Sequence, residues 1–205
     1  MVSDWTASMY AYTTQLLIWQ TQTRKNKDKI KHYVFFNDGD RKQTFEKIIG
    51  STGGFYATQS NDIMEAIDMM DICKQNGAGG DFPENDIEAI LYTLKTFPET
   101  KEVVLVADNF SRVRDMELLE KVNVPVHVVI THLNNLDKVN LDYLYIALQT
   151  QGSVHIHNSD LNIDSIKKLE LAVKKRRELS DKEKRKIIRK AKKEIKKKKR
   201  KDAFN

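Results

Sequence analysis

Three features of the 205-residue chain predict an α/β fold, a doubly wound and mostly parallel sheet with helices on both faces. Apolar and aromatic runs of strand length alternate with stretches of helical period, the order in which helical crossovers lay strands side by side in parallel. The run Val103-Val104-Leu105-Val106-Ala107 is apolar at every position, as a strand covered on both faces must be. A hydrophobic content of 40% is enough for a sizeable core.

The first strand is expected to be short. Only Met1-Val2-Ser3 precede Asp4, so upstream residues of that strand, and with them any export signal, would be missing from the chain. Residues 9–23 carry Leu16, Leu17 and Trp19 without Gly or Pro and read as a helix ending before Arg24-Lys25-Asn26-Lys27. His32-Tyr33-Val34-Phe35-Phe36 reads as a strand, and Asn37-Asp38-Gly39-Asp40 as the turn that stops it. A short helical piece over 45–49 and a short strand over 53–58 follow. Ser60 or Asn61 is placed to cap a helix over 62–74 that sets Ile63, Ala66, Ile67 and Met70 on one face, and Asn76-Gly77 closes it.

A glycine-rich loop, Gly77-Ala78-Gly79-Gly80-Asp81-Phe82-Pro83-Glu84-Asn85, then leads into a helix over 84–96, with Pro83 suited to its start. The apolar strand over 102–109 ends abruptly in Asp108. After it come a short helix over 116–121, a strand over 124–130, a helix over 141–149, a short strand over 154–157 and a helix from 163 onward. Cys73, the single cysteine, excludes an intrachain disulfide and a thiolate-rich metal site, and fits a small buried hydrophobe in its helix. No run of eighteen apolar residues and no secretory leader pattern occurs in the sequence.

The net charge of +6 conceals two opposite parts. From Ile166 onward fall 20 of the 35 Lys and Arg and 6 of the 29 Asp and Glu, so this stretch carries +14 and the rest −8. The division predicted is a folded body over 1–170 and a Lys/Arg-rich helical tail over 171–205. Ser180-Asp181-Lys182-Glu183 has the form of a capping box, and Ile187, Ile188, Ala191 and Ile195 make a narrow apolar stripe. Residues 196–201 are all basic. Such a run either stays solvated or binds phosphates and anionic lipid heads without sequence preference, so residues 180–205 are read either as a solvated, frayed extension or as a nonspecific contact for nucleic acid or an anionic surface. Without interleaved aromatics it is no base-stacking platform.

The chemistry gathers at strand ends. In an extended backbone the side chains of Asp4, Thr6 and Ser8 point the same way and offer one carboxylate and two hydroxyls, the donor class that hard divalent cations take. The same residue types also serve turns and helix caps. In an α/β sheet the loops after the strands meet along one edge, which would bring Asp81 from the glycine loop and Asp108 from the long strand toward Asp4, Thr6 and Ser8.

The pattern Asp4-x-Thr6-x-Ser8-Met9, a Gly-Gly loop before a helix and an apolar strand ending in Asp108 resembles, over about residues 1–170, the von Willebrand factor type A domain. It resembles in particular a prokaryotic-type variant of that family's metal-ion-dependent adhesion site. The resemblance implies that Asp4, Thr6 and Ser8 form the first ligand segment, that Asp81 takes the glycine-loop ligand position, and that Asp108 acts through water. It implies Mg2+, or Mn2+ or Ca2+, as the ion, and a non-catalytic module whose protein partner is bound over that ion through an acidic side chain. Thr6 stands where the family writes Ser and keeps the hydroxyl. Asp81 stands where the adhesive members carry Thr and adds a negative charge, which should weaken the pull on an acidic partner.

Other groups were weighed against plainer roles. Asp38 and Asp40 suggest either a second acidic site or a turn, and His155 with His157 either a metal pair or the outer face of an edge strand. Ser8 as a nucleophile lacks a Gly-x-Ser-x-Gly setting. A magnesium-dependent phosphotransfer or phosphatase enzyme built on strand-end aspartates is the rival from another class. It would typically carry a second acid two residues after the nucleophile, where this chain has Thr6.

Overall fold

A computed structural model describes residues 1–12, 30–131, 133, 139–156, 159–161 and 189. The expected helix beyond residue 12, the helix from 163, His157, and the basic tail apart from Arg189 lie outside the described residues.

Seven strands form one sheet in the order β3-β2-β1-β4-β5-β6-β7. They are β1 (Val2–Asp4), β2 (Val34–Phe36), β3 (Phe55–Ala57), β4 (Val103–Ala107), β5 (Val126–Ile130), β6 (Ser153–Ile156) and β7 (Ser159–Leu161). The five from β2 to β6 across the sheet pair in parallel, and β3 and β7 run antiparallel at the two edges. This is the predicted α/β class with a mostly parallel sheet. The strand order reverses between β1 and β4, and such a switch point opens a crevice at the carboxyl ends of those two strands. Asp4 ends β1 and Asp108 follows β4 there.

Side-chain alternation along each strand feeds two separate cores. Val34 and Phe36 of β2 and Val103, Leu105 and Ala107 of β4 pack with Ile87 and Ile90 of α2 (Asp86–Thr96) and with Tyr143 and Ile146 of α3 (Leu141–Gln149). Tyr33 and Phe35, with Val106, face the opposite way. They pack with Trp5, Met9 and the buried side of α1 (Ile63–Asn76), which is Ala66, Met70 and Cys73. Cys73 is thus the small buried hydrophobe its helix called for. Among the described residues no helix is long and apolar enough to cross a membrane.

Several boundaries differ from the sequence reading, each for a local reason. The N-cap of α1 is Asp62, whose carboxylate accepts the Met64 N–H at 3.0 Å, and Ser60 instead donates its hydroxyl to Glu65. Helix α2 begins at Asp86, because Glu84 is held in an isolated parallel bridge to Val113: its N–H donates to the Arg112 carbonyl at 2.9 Å and its carbonyl accepts from the Arg114 N–H at 2.6 Å. The start of α2 is capped from outside, by the Asp115 carboxylate accepting the N–H groups of Ile87 and Glu88. The pieces over 45–49 and 116–121 tighten into 3₁₀ turns, at Thr44–Glu46 and Met116–Lys121. Strand β7 was not foreseen.

Candidate metal centre

Asp4 sits at the end of the central strand, buried and paired through its backbone to β2. Its Oδ1 accepts the Thr6 N–H at 2.9 Å, which bends the chain out of the strand and into the 3₁₀ turn Ala7–Tyr12. The chain therefore turns at Asp4 instead of running extended to Ser8. The hydroxyls of Thr6 and Ser8 nevertheless stay together, 3.1 Å apart. The second carboxylate oxygen of Asp4, Oδ2, is buried and without a hydrogen-bond partner among the described residues. The turn role is thus met by Oδ1, and Oδ2 is left over. Burial pushes the Asp4 carboxyl up to about 7, the Thr6 N–H opposes that rise, and the charge of Asp108 adds to it. Asp108 is organised alike: its Oδ1 accepts the Phe110 N–H at 2.7 Å, which sets the loop after β4.

Backbone bonds tie the glycine loop to this segment. Ala7 N–H donates to the Ala78 carbonyl and Gly79 N–H to the Asn37 carbonyl, each at 3.0 Å. Gly77 has extended backbone, but a Cβ there would lie 2.0 Å from the Asp40 carbonyl oxygen, so only glycine lets the two loops approach. Gly79 adopts φ +85° against the Thr6 side chain, a conformation L side chains rarely take.

Asp81 has partners other than those expected of a ligand. Lys47 and Arg114 grip it, the latter through both terminal nitrogens at 3.0 Å, and the same two cations hold Asp38, with Lys47 Nζ at 2.6 Å and Arg114 Nη2 at 2.9 Å from its Oδ2. Burial works to raise Asp81, but the hydrogen bonds and charges of Arg114 and Lys47 outweigh it and hold the carboxyl well below the usual range. For Asp38 the balance is the reverse. Its side chain is fully buried where that of Asp81 keeps 13% exposure, and burial raises it to about 6 in spite of the same two cations. The Asn-Asp-Gly-Asp segment is the expected turn, with Asp38 and Asp40 both at φ +60°, and it also delivers a buried acid that turn chemistry alone did not announce.

Two further carboxyls crowd the same edge. Glu84 is 4% exposed with Oε2 unpartnered, and Asp86 is buried with both oxygens unpartnered among the described residues. Burial, with the charges of Asp4 and Asp38 among others, raises Glu84 to about 11 and Asp86 well above the ordinary range. Asp4, Asp38, Asp81, Glu84, Asp86 and Asp108 are thus six carboxyls served by the two cations Lys47 and Arg114, both spent on Asp38 and Asp81. Glu84 follows Pro83 and reads in sequence as the start of a helix, with nothing to mark it as a site residue. Lys47 and Arg114 carried none, being single basic residues in loops.

Beside these groups lies a pocket of about 220 Å³, lined among others by Thr6, Ser8, Asp81, Glu84 and Ser111. Phe82 and Phe110 stand at its rim with ring centroids 5.8 Å apart. Among the described residues no three or more His, Cys, Asp or Glu side chains are grouped closely enough to hold a metal by themselves. That count leaves out hydroxyls, on which a site of Asp4, Thr6 and Ser8 would depend. The donor set fits a hard cation in chemistry: oxygen ligands throughout, one buried carboxylate oxygen without a partner among the described residues, and open space lined by Thr6 and Ser8, though not by Asp4 or Asp108. Of His155 and His157 only the former is among the described residues, and its ring bonds Asp160 and Ser153. No family model, curated protein or solved structure matches the chain.

Proposed function

We propose that the chain is a non-catalytic, divalent-cation-dependent protein-binding module of the von Willebrand type A kind, with Asp4, Thr6, Ser8 and Asp108 as the cation's protein ligands. The observation that carries this reading is the unpartnered, buried Oδ2 of Asp4 at the switch point of the sheet, two residues before Thr6, whose hydroxyl pairs with that of Ser8 and which lines an open pocket together with Ser8. A buried carboxylate oxygen without a partner costs on the order of 1–3 kcal/mol or more, and a bound cation would offset that cost. The strand order, with its antiparallel β3 edge, supports the same reading.

Magnesium or manganese held there supplies one function, a positive centre that a partner's oxygen can complete. The chain's own residues do the rest. Asp4 fixes the Thr6 backbone by its Oδ1 and keeps Oδ2 free, Thr6 and Ser8 hold their hydroxyls side by side, and Asp108 sets the loop that closes the far side. Asp81, taken by Lys47 and Arg114, would add little charge to the ion. Phosphotransfer is disfavoured because those two cations, which a transferred phosphoryl group would call on, are committed to carboxylates.

The test is thermal unfolding of the intact protein in EDTA and in millimolar Mg2+. Magnesium should raise the melting temperature, and Asp4→Ala or Asp108→Ala should abolish that rise. Identical melting curves with and without magnesium would refute cation binding.

A further inference from the structure

Resting on the cation reading, we propose that Glu84, and not Asp81, supplies the third carboxylate of the site, reaching the ion through its bound water. Asp81 is drawn off by three charged contacts, one from Lys47 and two from Arg114, which leave both of its oxygens bonded. Glu84 is the reverse case. It lines the pocket with Thr6 and Ser8, is 4% exposed, and keeps Oε2 buried and unpartnered among the described residues.

The backbone explains why Glu84 is held there. Its N–H and carbonyl both bond the loop after β4, to Arg112 and Arg114, so the residue cannot retreat into the first turn of α2. Arg114 serves two ends of this arrangement: its backbone fixes Glu84, and its guanidinium engages the Asp81 carboxylate, which lines the same pocket. Contact through water agrees with the absence, among the described residues, of three acids grouped for direct ligation. It also agrees with the habit of magnesium, which takes one or two carboxylates directly and keeps several waters.

A consequence for the partner follows. With the carboxylates of Asp4 and Asp108 around it, a divalent ion has little net charge left to attract a carboxylate, so the partner meets it through a neutral oxygen, an amide or hydroxyl. This differs from the acidic side chain that the family resemblance implies.

The experiment titrates Mn2+ into the intact chain, reads free Mn2+ by electron paramagnetic resonance, and records melting in EDTA alongside. Glu84→Gln should weaken Mn2+ binding about tenfold or more, the range found for groups that orient a metal's outer contacts, and leave the EDTA melting temperature unchanged or higher. Glu84→Asp, which keeps the charge but draws it back by one methylene, should weaken binding as well. Asp81→Asn should lower the EDTA melting temperature and leave Mn2+ affinity within about twofold of the wild type. In wild type, sodium acetate should add no stabilisation beyond that of Mn2+ at matched ionic strength. The reverse pattern, with affinity lost in Asp81→Asn and kept in Glu84→Gln, overturns the assignment, as does unchanged affinity in both. Further stabilisation by acetate overturns the neutral-oxygen partner. Wild-type protein that binds no Mn2+ overturns the cation reading beneath it, a result distinct from all the others.

Discussion

Asp38 and Asp4 stand close together at the ends of neighbouring strands, both fully buried, and the chain treats them in opposite ways. Around Asp38 it supplies its own cations: Lys47 and Arg114 bind its Oδ2 and bind Asp81 with it. Among the described residues it supplies a backbone N–H for one oxygen of Asp4 and no partner for the other, while Glu84 and Asp86 add unpartnered carboxyl oxygens nearby. Burying a carboxylate is costly wherever it happens. The first half of the edge meets that cost internally and holds loops together. The second leaves it open, and it is this uncompensated cost that motivates the proposal of a cation there.

The largest expected effect breaks the closed half. Lys47→Met removes a cation whose side chain is fully buried and leaves two carboxylates to a single arginine, so it should cost about 3–5 kcal/mol in urea denaturation. A cost under about 1 kcal/mol would mean that these ion pairs hold little together. The matched change in the open half should go the other way. Asp4→Asn removes a charge that nothing compensates and keeps the bond from Thr6, so in EDTA the protein should be as stable as the wild type or more so. With magnesium present it should lose the stabilisation the wild type gains. A loss of more than about 2 kcal/mol in EDTA would show that Asp4, too, is a structural partner.

Acidity gives a second and smaller contrast. The folded Asp4 carboxyl titrates near 7 against an ordinary value of 3.8, so the folded protein holds a proton that the unfolded chain has released. Its contribution to stability is full below about 4 and falls as pH rises toward about 7. Asp38, raised to about 6, adds in the same direction. Asp81 has the opposite sign: depressed in the fold, it stabilises above the ordinary carboxylate range and loses that effect as pH falls through its lower folded value. Stability in EDTA should therefore decline as pH rises from about 4 to about 7, with the raised carboxyls of Glu84, Asp86 and Asp115 acting in the same direction, and Asp4→Asn should make the decline shallower. A rising profile over that window would place the site under the control of Asp81 and its cations.

The sheet was legible because its signals are local: a strand apolar at every position is buried on both faces, and Val103–Ala107 is so. Asp4, Thr6, Ser8 and Asp108 were legible for a related reason, since strand ends meet at one edge whatever the loops do. The ion pairs were not. Lys47 and Arg114 lie 67 residues apart in sequence, and only the fold brings them onto Asp38 and Asp81. Asp81 looked like a ligand by its place in the glycine loop, and its charge is consumed by residues that spacing cannot relate to it. Glu84 was hidden by a good helix-start pattern that a backbone bridge to Val113 overrides.

The smallest expected effect concerns the rim. Phe82 and Phe110 are 70% and 72% exposed, touch each other across the two loops that carry Asp81 and Asp108, and bury little area in either core. Phe82→Ser and Phe110→Ser should each change stability by less than about 0.5 kcal/mol and leave the magnesium response in place. By contrast Phe36→Ala, which empties a fully buried position on β2, should cost about 3–5 kcal/mol. If either rim substitution costs more than about 1 kcal/mol, the ring pair braces the loops, and the open half of the edge is held from above as well as from the sheet. If neither does, the rings are free of structural duty, and an exposed aromatic pair beside a cation pocket is then available to a partner's apolar side chain.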